Sequence, residues 1–185
     1  ETMRVLLFIT FSILVFQFYP VTPIMIVLLA ILNDIPIMTI ANDNVRTSAH
    51  PVRWDMKRVL SIASALSIIG VIASFFFFWF LKTHTDLTEG TIQTMLFLKL
   101  LVAGHLTIYL TRNSSWFWKH PWPNWVLFVT LEATQIIGTL VAVYGILMPA
   151  IGWEYALYAW AYALIWLPIN DSVKMGVYKI IGRPI

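Results

Sequence analysis

Six apolar runs, most of them long enough to cross a bilayer, determine what this 185-residue chain can fold into. A transmembrane helix needs about 20 residues at a rise of about 1.5 Å each. Polar or proline-rich breaks separate the runs, which cover about 3–19, 22–41, 58–81, 91–111, 124–148 and 154–178. The sequence therefore predicts an all-α integral membrane protein, with residues 1–185 forming a single six-helix transmembrane bundle.

Composition excludes most other classes of protein. Hydrophobic residues make up 59% of the chain and charged residues 11%, with a mean hydropathy of +0.80, far from the soluble balance. The net charge of +3 is too small and dispersed to indicate nucleic-acid binding, and the absence of cysteine excludes disulfides and zinc–thiolate sites. The chain begins at Glu1 without a methionine or signal-peptide pattern, so we expect a piece of a longer protein.

Basic residues fall mainly on one side of the predicted bundle. The opposite side has only Lys82, while Arg4 and Lys99 lie within apolar runs. The positive-inside rule then predicts a multi-pass protein of the cell membrane with both termini in the cytoplasm. The residues on the predicted cytoplasmic side are Arg46, Arg53, Lys57, Arg58, Arg112, Lys119, Lys174, Lys179 and Arg183.

An aspartate, Asp34, stands deep inside the second apolar run. An ionisable side chain near the bilayer centre costs at least about 2.5–3.5 kcal/mol on insertion scales, so it indicates a functional site. Asn33 lies beside it and Pro36 follows two residues later. Proline cannot donate a backbone hydrogen bond and would clash with the carbonyl of Leu32. We therefore predict that the second helix is broken near Asn33 and Pro36, as in transporters that bind ions at interrupted helices.

Arg4 is the second candidate site residue. Measured from the turn that joins the first two runs, Arg4 and Asp34 differ in depth by only about 6 Å. Arginine stays protonated, so it could serve as a fixed counter-charge to a carboxylate that changes state. The alternative is that Arg4 simply extends to the cytoplasmic interface near a helix end.

The donor set around Asp34 favours a proton over a metal ion. Calcium takes six to eight oxygen ligands, usually from several carboxylates and carbonyls. The first run offers no carboxylate and the second offers only Asp34, with a cation nearby. Burial favours the protonated form of a carboxylate, and an approaching guanidinium favours the ionised form. This pattern predicts a single proton site with no metal.

Several segments, in chain order, resemble P-type plasma-membrane proton ATPases. Leu-Asn-Asp at 32–34 and Ile-Met-Thr-Ile at 37–40, followed by Asp-Asn-Val at 43–45, resemble the sixth membrane helix of that family. Further similar segments are 2–5, 109–116, 139–144 and 166–174, which resemble parts of the fifth, eighth, ninth and tenth helices. The resemblance covers nearly the whole chain and is nearer to archaeal or bacterial members.

The resemblance implies roles for the candidate residues and for parts beyond them. Asp34 would accept and release the proton, Asn33 would lie at the same site, and Arg4 would act as a positive gate against back-flow. The fragment lacks the DKTGT and TGE motifs, so it cannot hydrolyse ATP and needs no cofactor itself. The full-length pump would use ATP and Mg²⁺, and its remaining helices and cytoplasmic domains, with the lipid bilayer and protons, are the implied partners.

Two further charged residues, Lys99 and Glu132, fall within apolar runs at similar estimated depth. We predict that they form a structural ion pair, which would reduce the cost of burying either. A second proton-path element and separate extension to the interface are the alternatives. His105 could titrate near neutrality, although a lone helical histidine is more often structural.

Two other functions remain open on sequence alone. The chain could be a complete small secondary transporter that uses Asp34 to couple proton flow to a solute. It could also be a non-conducting membrane subunit, in which case Asp34 should be dispensable.

Overall fold

The computed structural model of the protein describes residues 1–44 and 56–181, which form six α-helices and no strand. The helices are α1 (Thr2–Phe16), α2 (Pro23–Thr39), α3 (Met56–His84), α4 (Glu89–Thr111), α5 (Trp125–Tyr144) and α6 (Gly152–Ile181). The predicted all-α fold is confirmed. Within the described ranges α2 (with the turn that follows it, to Asn42), α3, α4 and α5 are long and apolar enough to span a membrane, while α1 is apolar but shorter. Membrane crossing by α1 and α6 stays a prediction.

Local sequence signals decide where the helices begin and end. The hydroxyl of Thr22 accepts a hydrogen bond from the N–H of Met25 at 3.4 Å, with Pro23 at the first helical position of α2. Asn124 caps α5 in the same way through the N–H of Val126 at 3.0 Å. Gly145 ends α5 with φ at 75°, a left-handed conformation that glycine adopts without steric penalty.

The helix α4 lies at the centre of the bundle. Residues 96–102 are almost completely buried, and the helix contacts α2, α3, α5 and α6. The helix α1 instead packs on α3 through aromatic rings, with the Phe8 and Phe75 centroids 5.4 Å apart and those of Phe16 and Phe78 5.2 Å apart. Side chains on α4 can therefore meet partners from four other helices.

The outer surface is apolar, whereas the interior holds several polar side chains. The exposed apolar residues include Leu6, Leu14, Val27, Ile68, Phe76, Leu157 and Ile165. The buried polar residues include Arg4, Asn33, Lys99, His105, Asp171 and Lys174. Membrane bundles distribute residues in this way, because lipid solvates apolar side chains and buried polar groups find partners between helices.

The predicted break in the second helix is wrong. The helix α2 runs without interruption through Pro36 and ends in a 3₁₀ turn at Ile40–Asn42. Proline removes one N–H and leaves the carbonyl four residues earlier without its helical partner. Here that carbonyl, of Leu32, accepts a hydrogen bond from Nε2 of His105 on α4 at 3.2 Å. The helix can therefore continue with this carbonyl satisfied.

Some of the charges used to orient the bundle lie outside the described residues, namely Arg46, Arg53 and Arg183. The described Arg112 and Lys174 both contact the segment that follows α4. They therefore share one end of the bundle, as the charge pattern requires. Which side of the membrane this end faces stays a prediction.

Candidate functional site

Asp34 lies on the outer surface of the bundle. Leu32, Asn33 and Pro36 are buried against the other helices, whereas Asp34 is exposed. Adjacent residues of a helix point about 100° apart, so the buried Asn33 and the exposed Asp34 occupy different faces of α2. Within 1–44 and 56–181, no hydrogen bond or ion pair engages the Asp34 carboxylate. The carboxylate is therefore available to groups from outside the described helices.

Asn33 lies where α1, α2 and α4 approach one another. A Cβ atom added to Gly104 would sit 3.1 Å from Oδ1 of Asn33 and 3.1 Å from Oε1 of Glu1. Both distances are tight for a real side chain, so glycine at position 104 lets the two polar groups come close to α4. Asn33 thus belongs to an inner polar cluster, on a different face of α2 from the Asp34 carboxylate.

Arg4 is also part of the inner cluster. Its side chain is 4% exposed, pairs with the carboxylate of Glu1 one turn earlier and donates from Nη2 to the carbonyl of Leu100 at 3.2 Å. Its Nε has no hydrogen-bond partner among the described residues. The ion pair expected between Arg4 and Asp34 is not formed in this structure, because Glu1 supplies a nearer carboxylate and Asp34 lies on the outer surface. The gating role of Arg4 stays a prediction.

The predicted ion pair between Lys99 and Glu132 is wrong. Lys99 is 1% exposed, donates to the hydroxyl of Ser74 at 2.5 Å and lies 5.9 Å above the ring of Tyr162. Glu132 instead accepts from the hydroxyl of Tyr109 at 3.0 Å. The two residues lie at similar estimated depth in the membrane. They do not meet, because the side chain of Lys99 points away from α5 around the axis of α4. Lys99 faces α3 and α6, whereas α4 presents Tyr109 to α5.

A buried ion pair lies in the C-terminal half of α6, where sequence reasoning had counted Lys174 only among the cytoplasmic charges. Asp171 and Lys174, both 0% exposed, are 2.7 Å apart. The Lys174 ammonium also donates to the carbonyls of Leu110 at 2.8 Å and Ser115 at 2.7 Å, and Asp171 accepts from the N–H of Phe117 at 3.1 Å. The pair therefore acts as a clamp that holds α6 against the C-terminal end of α4. The sequence feature that could have indicated this ion pair is the three-residue spacing of Asp171 and Lys174 within an apolar helix.

A second clamp joins the ends of α2, α4 and α5. Arg112 contacts Asp43 with two parallel bonds of 2.9 and 3.0 Å, and the N–H of Asn124 donates to the same carboxylate at 3.0 Å. Burial raises the pKa of Asp43, but the bonds from Arg112 and Asn124 outweigh it and hold the pKa below the ordinary value of 3.8. Bidentate arginine–carboxylate pairs of this type are strong and geometrically specific.

A cavity of about 420 Å³ opens beside the inner cluster. Its polar lining comes from Glu1, Arg4, Ser67, Thr107 and Tyr178, and Ile37 adds a wall from α2. The cavity extends towards the end of α4, where Thr111 completes the lining. Water entering from that end of the bundle could therefore reach Arg4. Among the described residues no group of three His, Asp or Glu side chains is arranged to hold a metal ion.

Fold and site together define a class: a helical multi-pass membrane bundle with an unpaired carboxylate, among the described residues, on one of its spanning helices. No protein-family model matches the chain. Over 179 residues, 97% of its length, the chain is 48% identical to a protein of Methanocaldococcus jannaschii named as a cation-transporting ATPase. The chain spans 22% of that protein's length. It is therefore similar to one segment of a much longer protein.

Proposed function

We propose that this chain is the membrane-embedded, proton-translocating part of an ATP-driven P-type pump, with Asp34 as the group that accepts and releases the proton. One observation carries the proposal. Asp34 is a carboxylate within an apolar membrane helix, and no hydrogen bond or ion pair engages it among the described residues. Asp43 and Asp171 are instead held by fixed donors. A carboxylate without such donors in a membrane helix costs free energy, so its presence there indicates a function.

The groups around Asp34 suit a proton better than a metal ion. A metal ion would need several oxygen ligands, and α1 and α2 contribute no carboxylate besides Asp34. In an unbroken helix most backbone carbonyls are already bonded to N–H groups. A proton needs only one oxygen atom. The relative's name specifies a cation, and the proton is our assignment for this chain.

Arg4 is proposed to act by changing its distance from Asp34. Glu1 and the Leu100 carbonyl hold the guanidinium on the inner side of α2 in this structure, so Asp34 would be free to bind a proton. Movement of the guanidinium towards α2 would favour the ionised carboxylate and release the proton. The cavity beside Arg4 offers a route for water to the same region.

The rest of the machinery is proposed to lie in other parts of a longer protein. The chain covers 22% of its relative, which leaves room for ATP- and Mg²⁺-binding cytoplasmic domains and further membrane helices. The exposed face of α2 that carries Asp34 is where we expect those helices to pack. We place the assembly in the cell membrane, with both ends of this segment in the cytoplasm.

The test of Asp34 uses the full-length protein in vesicles that contain a pH-sensitive dye. Asp34→Asn keeps the shape of the side chain but removes the titrating proton, so ATP-driven proton uptake should be lost. Glu154→Gln, an equivalent change at the exposed carboxylate near the start of α6, should keep uptake. Undiminished uptake by Asp34→Asn would contradict the proposal. So would ATP hydrolysis that requires a metal cation other than the Mg²⁺ bound with ATP and moves no protons.

The test of Arg4 is the steepest pH gradient that the vesicles reach. Arg4→Ala should keep some ATP hydrolysis but lower this limit, because no cation then drives release against an acidic exterior. Arg4→Lys should fall between the two forms, since it keeps the charge but loses the planar guanidinium. Equal limits for the three forms would assign Arg4 a structural role only.

A further inference from the structure

A polar pocket of about 290 Å³ lies in the segment that joins α4 to α5. Its lining comes from residues 112–115 and 119–121, none of which is acidic. Hydrogen bonds within the segment hold this lining in place. The side-chain amide of Asn113 donates to the carbonyl of Lys119 at 3.1 Å, and its oxygen accepts from the N–H of Ser115 at 2.9 Å. The pocket is therefore formed by the segment itself.

Several side chains that line the pocket have hydrogen-bond donors still available. The Arg112 side chain is 4% exposed and uses four of its five N–H groups, towards one carboxylate and two backbone carbonyls. One N–H, on Nη1, is left over. The hydroxyl groups of Ser114 and Ser115 and the ammonium of Lys119 donate to no acceptor within 1–44 and 56–181. The pocket therefore offers donors and needs an acceptor.

The net charge around the pocket is positive. Asp43 pairs with Arg112, and Asp171 pairs with Lys174 on the other side of the segment. The charges within each of these pairs cancel. Lys119 is exposed and forms no ion pair among the described residues, so its ammonium supplies the remaining charge. An anion would therefore be attracted to this pocket.

Tryptophan side chains place the same segment at the membrane surface. Trp118, Trp122 and Trp125 are exposed, and the ring of Trp116 stacks on that of Trp118 with centroids 4.9 Å apart. Tryptophan is enriched at the level of the lipid headgroups, because its ring is apolar and its N–H is polar. The pocket lies between these tryptophans in sequence, so headgroup phosphates would surround it.

We infer that this pocket binds the phosphate group of an anionic phospholipid. Phosphate oxygens accept several hydrogen bonds at once, and a guanidinium N–H, two hydroxyl groups and an ammonium can supply them together. Basic pockets at the ends of membrane helices are suited to anionic headgroups. Inorganic phosphate has the same oxygens but no acyl chains to lie along the apolar surface of the bundle. The site is separate from Asp34 and does not depend on proton transport.

The test measures lipid retention by the full-length protein. Native mass spectrometry is performed after incubation with phosphatidylglycerol, phosphatidylcholine or both, and we expect phosphatidylglycerol to be retained preferentially. Lys119→Gln should lower this preference about fivefold, as expected for one basic side chain near an anionic surface. Lys179→Gln, at an exposed position near the end of α6, removes the same charge outside the pocket and should keep the preference.

A variant that keeps every charge separates the pocket from general electrostatic attraction. Ser114→Ala combined with Ser115→Ala removes two hydroxyl donors and should lower retention of phosphatidylglycerol by at least about twofold. Both residues lie outside the helices, so circular dichroism should show unchanged helix content. Inorganic phosphate should displace phosphatidylglycerol only at a much higher concentration than the lipid, because the free ion lacks acyl chains.

Three results would overturn the inference. The first is equal retention of the two lipids by the unmodified protein. The second is an equal loss of preference in Lys119→Gln and Lys179→Gln, or no loss in the serine variant, since the attraction would then come from the net charge of this end of the bundle. The third is displacement by inorganic phosphate at a concentration equal to that of the lipid, because the occupant would then be the free ion.

Discussion

The charged groups in two regions of this bundle, the end of α4 and the outer face of α2, have opposite environments. At the end of α4, the side chains of Asp171, Lys174, Asp43 and Arg112 are buried and held in ion pairs. On α2, Asp34 is exposed, and nothing within the described ranges engages its carboxylate. Buried ion pairs fix helix positions, whereas a group that must exchange a proton has to stay free of permanent partners. Stability and transport should therefore respond to different substitutions.

The largest effect on stability is expected at Lys174. Lys174→Met leaves the Asp171 carboxylate buried without its counter-charge, which should lower the free energy of unfolding by about 3–5 kcal/mol. Thermal unfolding in detergent measures this loss. Lys179→Met, at an exposed position of the same helix, should change little. Asp171→Asn combined with Lys174→Met should recover part of the loss. Equal stability of the unmodified protein, the two single variants and the double variant would contradict the clamp.

Asp43 should give a smaller effect that depends on pH. Asp43→Asn weakens the bonds to Arg112 and should cost about 2 kcal/mol at neutral pH. Because the folded-state pKa is lowered, the contribution of the carboxylate is present above its ordinary pKa of 3.8 and is lost as pH falls through the lower folded value. Unfolding of the unmodified protein should therefore become easier below pH 3.8, while Asp43→Asn lacks this component. Parallel pH profiles of stability for the two forms would contradict this role of the Asp43 carboxylate.

Gly70 allows a perturbation of comparable size, directed at Arg4 without a change of charge. A Cβ atom at this position would lie 2.2 Å from Cδ of Arg4, so Gly70→Ala must displace the side chain. We expect a loss of about 1–3 kcal/mol, typical of overpacking. Gly176→Ala is the matched control, because a Cβ there meets nothing within 4 Å. Equal effects at both positions would mean that Arg4 is not closely packed against α3.

Asp34 should give the smallest effect on stability. Asp34→Asn removes no bond among the described residues, so the free energy of unfolding of this chain should change by less than about 0.5 kcal/mol. Thermal unfolding checks this value beside the other variants. A loss as large as that of Lys174→Met would show that Asp34 is a structural residue and would remove the contrast between the two regions.

Hydropathy was sufficient to predict the helices. The fourth apolar run, 91–111, and the helix Glu89–Thr111 differ by two residues at one end. Depth along the membrane could also be estimated from residue counts. The rotation of each helix could not, and this explains why Lys99 faces Ser74 and not Glu132. Rotation depends on packing against several helices, which a single hydropathy pattern does not encode.

The continuity of α2 was equally inaccessible from local sequence. The rule that proline breaks a helix assumes that the freed carbonyl has no other donor. Here the donor, His105, lies 73 residues away in sequence, and no local pattern connects it to Leu32. Asp34 could be singled out as a candidate because its cost in an apolar run is a local property. Its outward direction depends on which face of α2 the bundle buries.

The clamp at Asp171 and Lys174 has a consequence for biogenesis. An aspartate and a lysine within a helix oppose insertion, by up to about 2.5–3.5 kcal/mol each at the helix centre, and α6 is not among the described helices apolar enough to be recognised as a span. A membrane protein is synthesised from its N-terminus, so Leu110 and Ser115, whose carbonyls accept from Lys174, are made before α6. The helix α6 would then be recruited into the bilayer by the helices made before it.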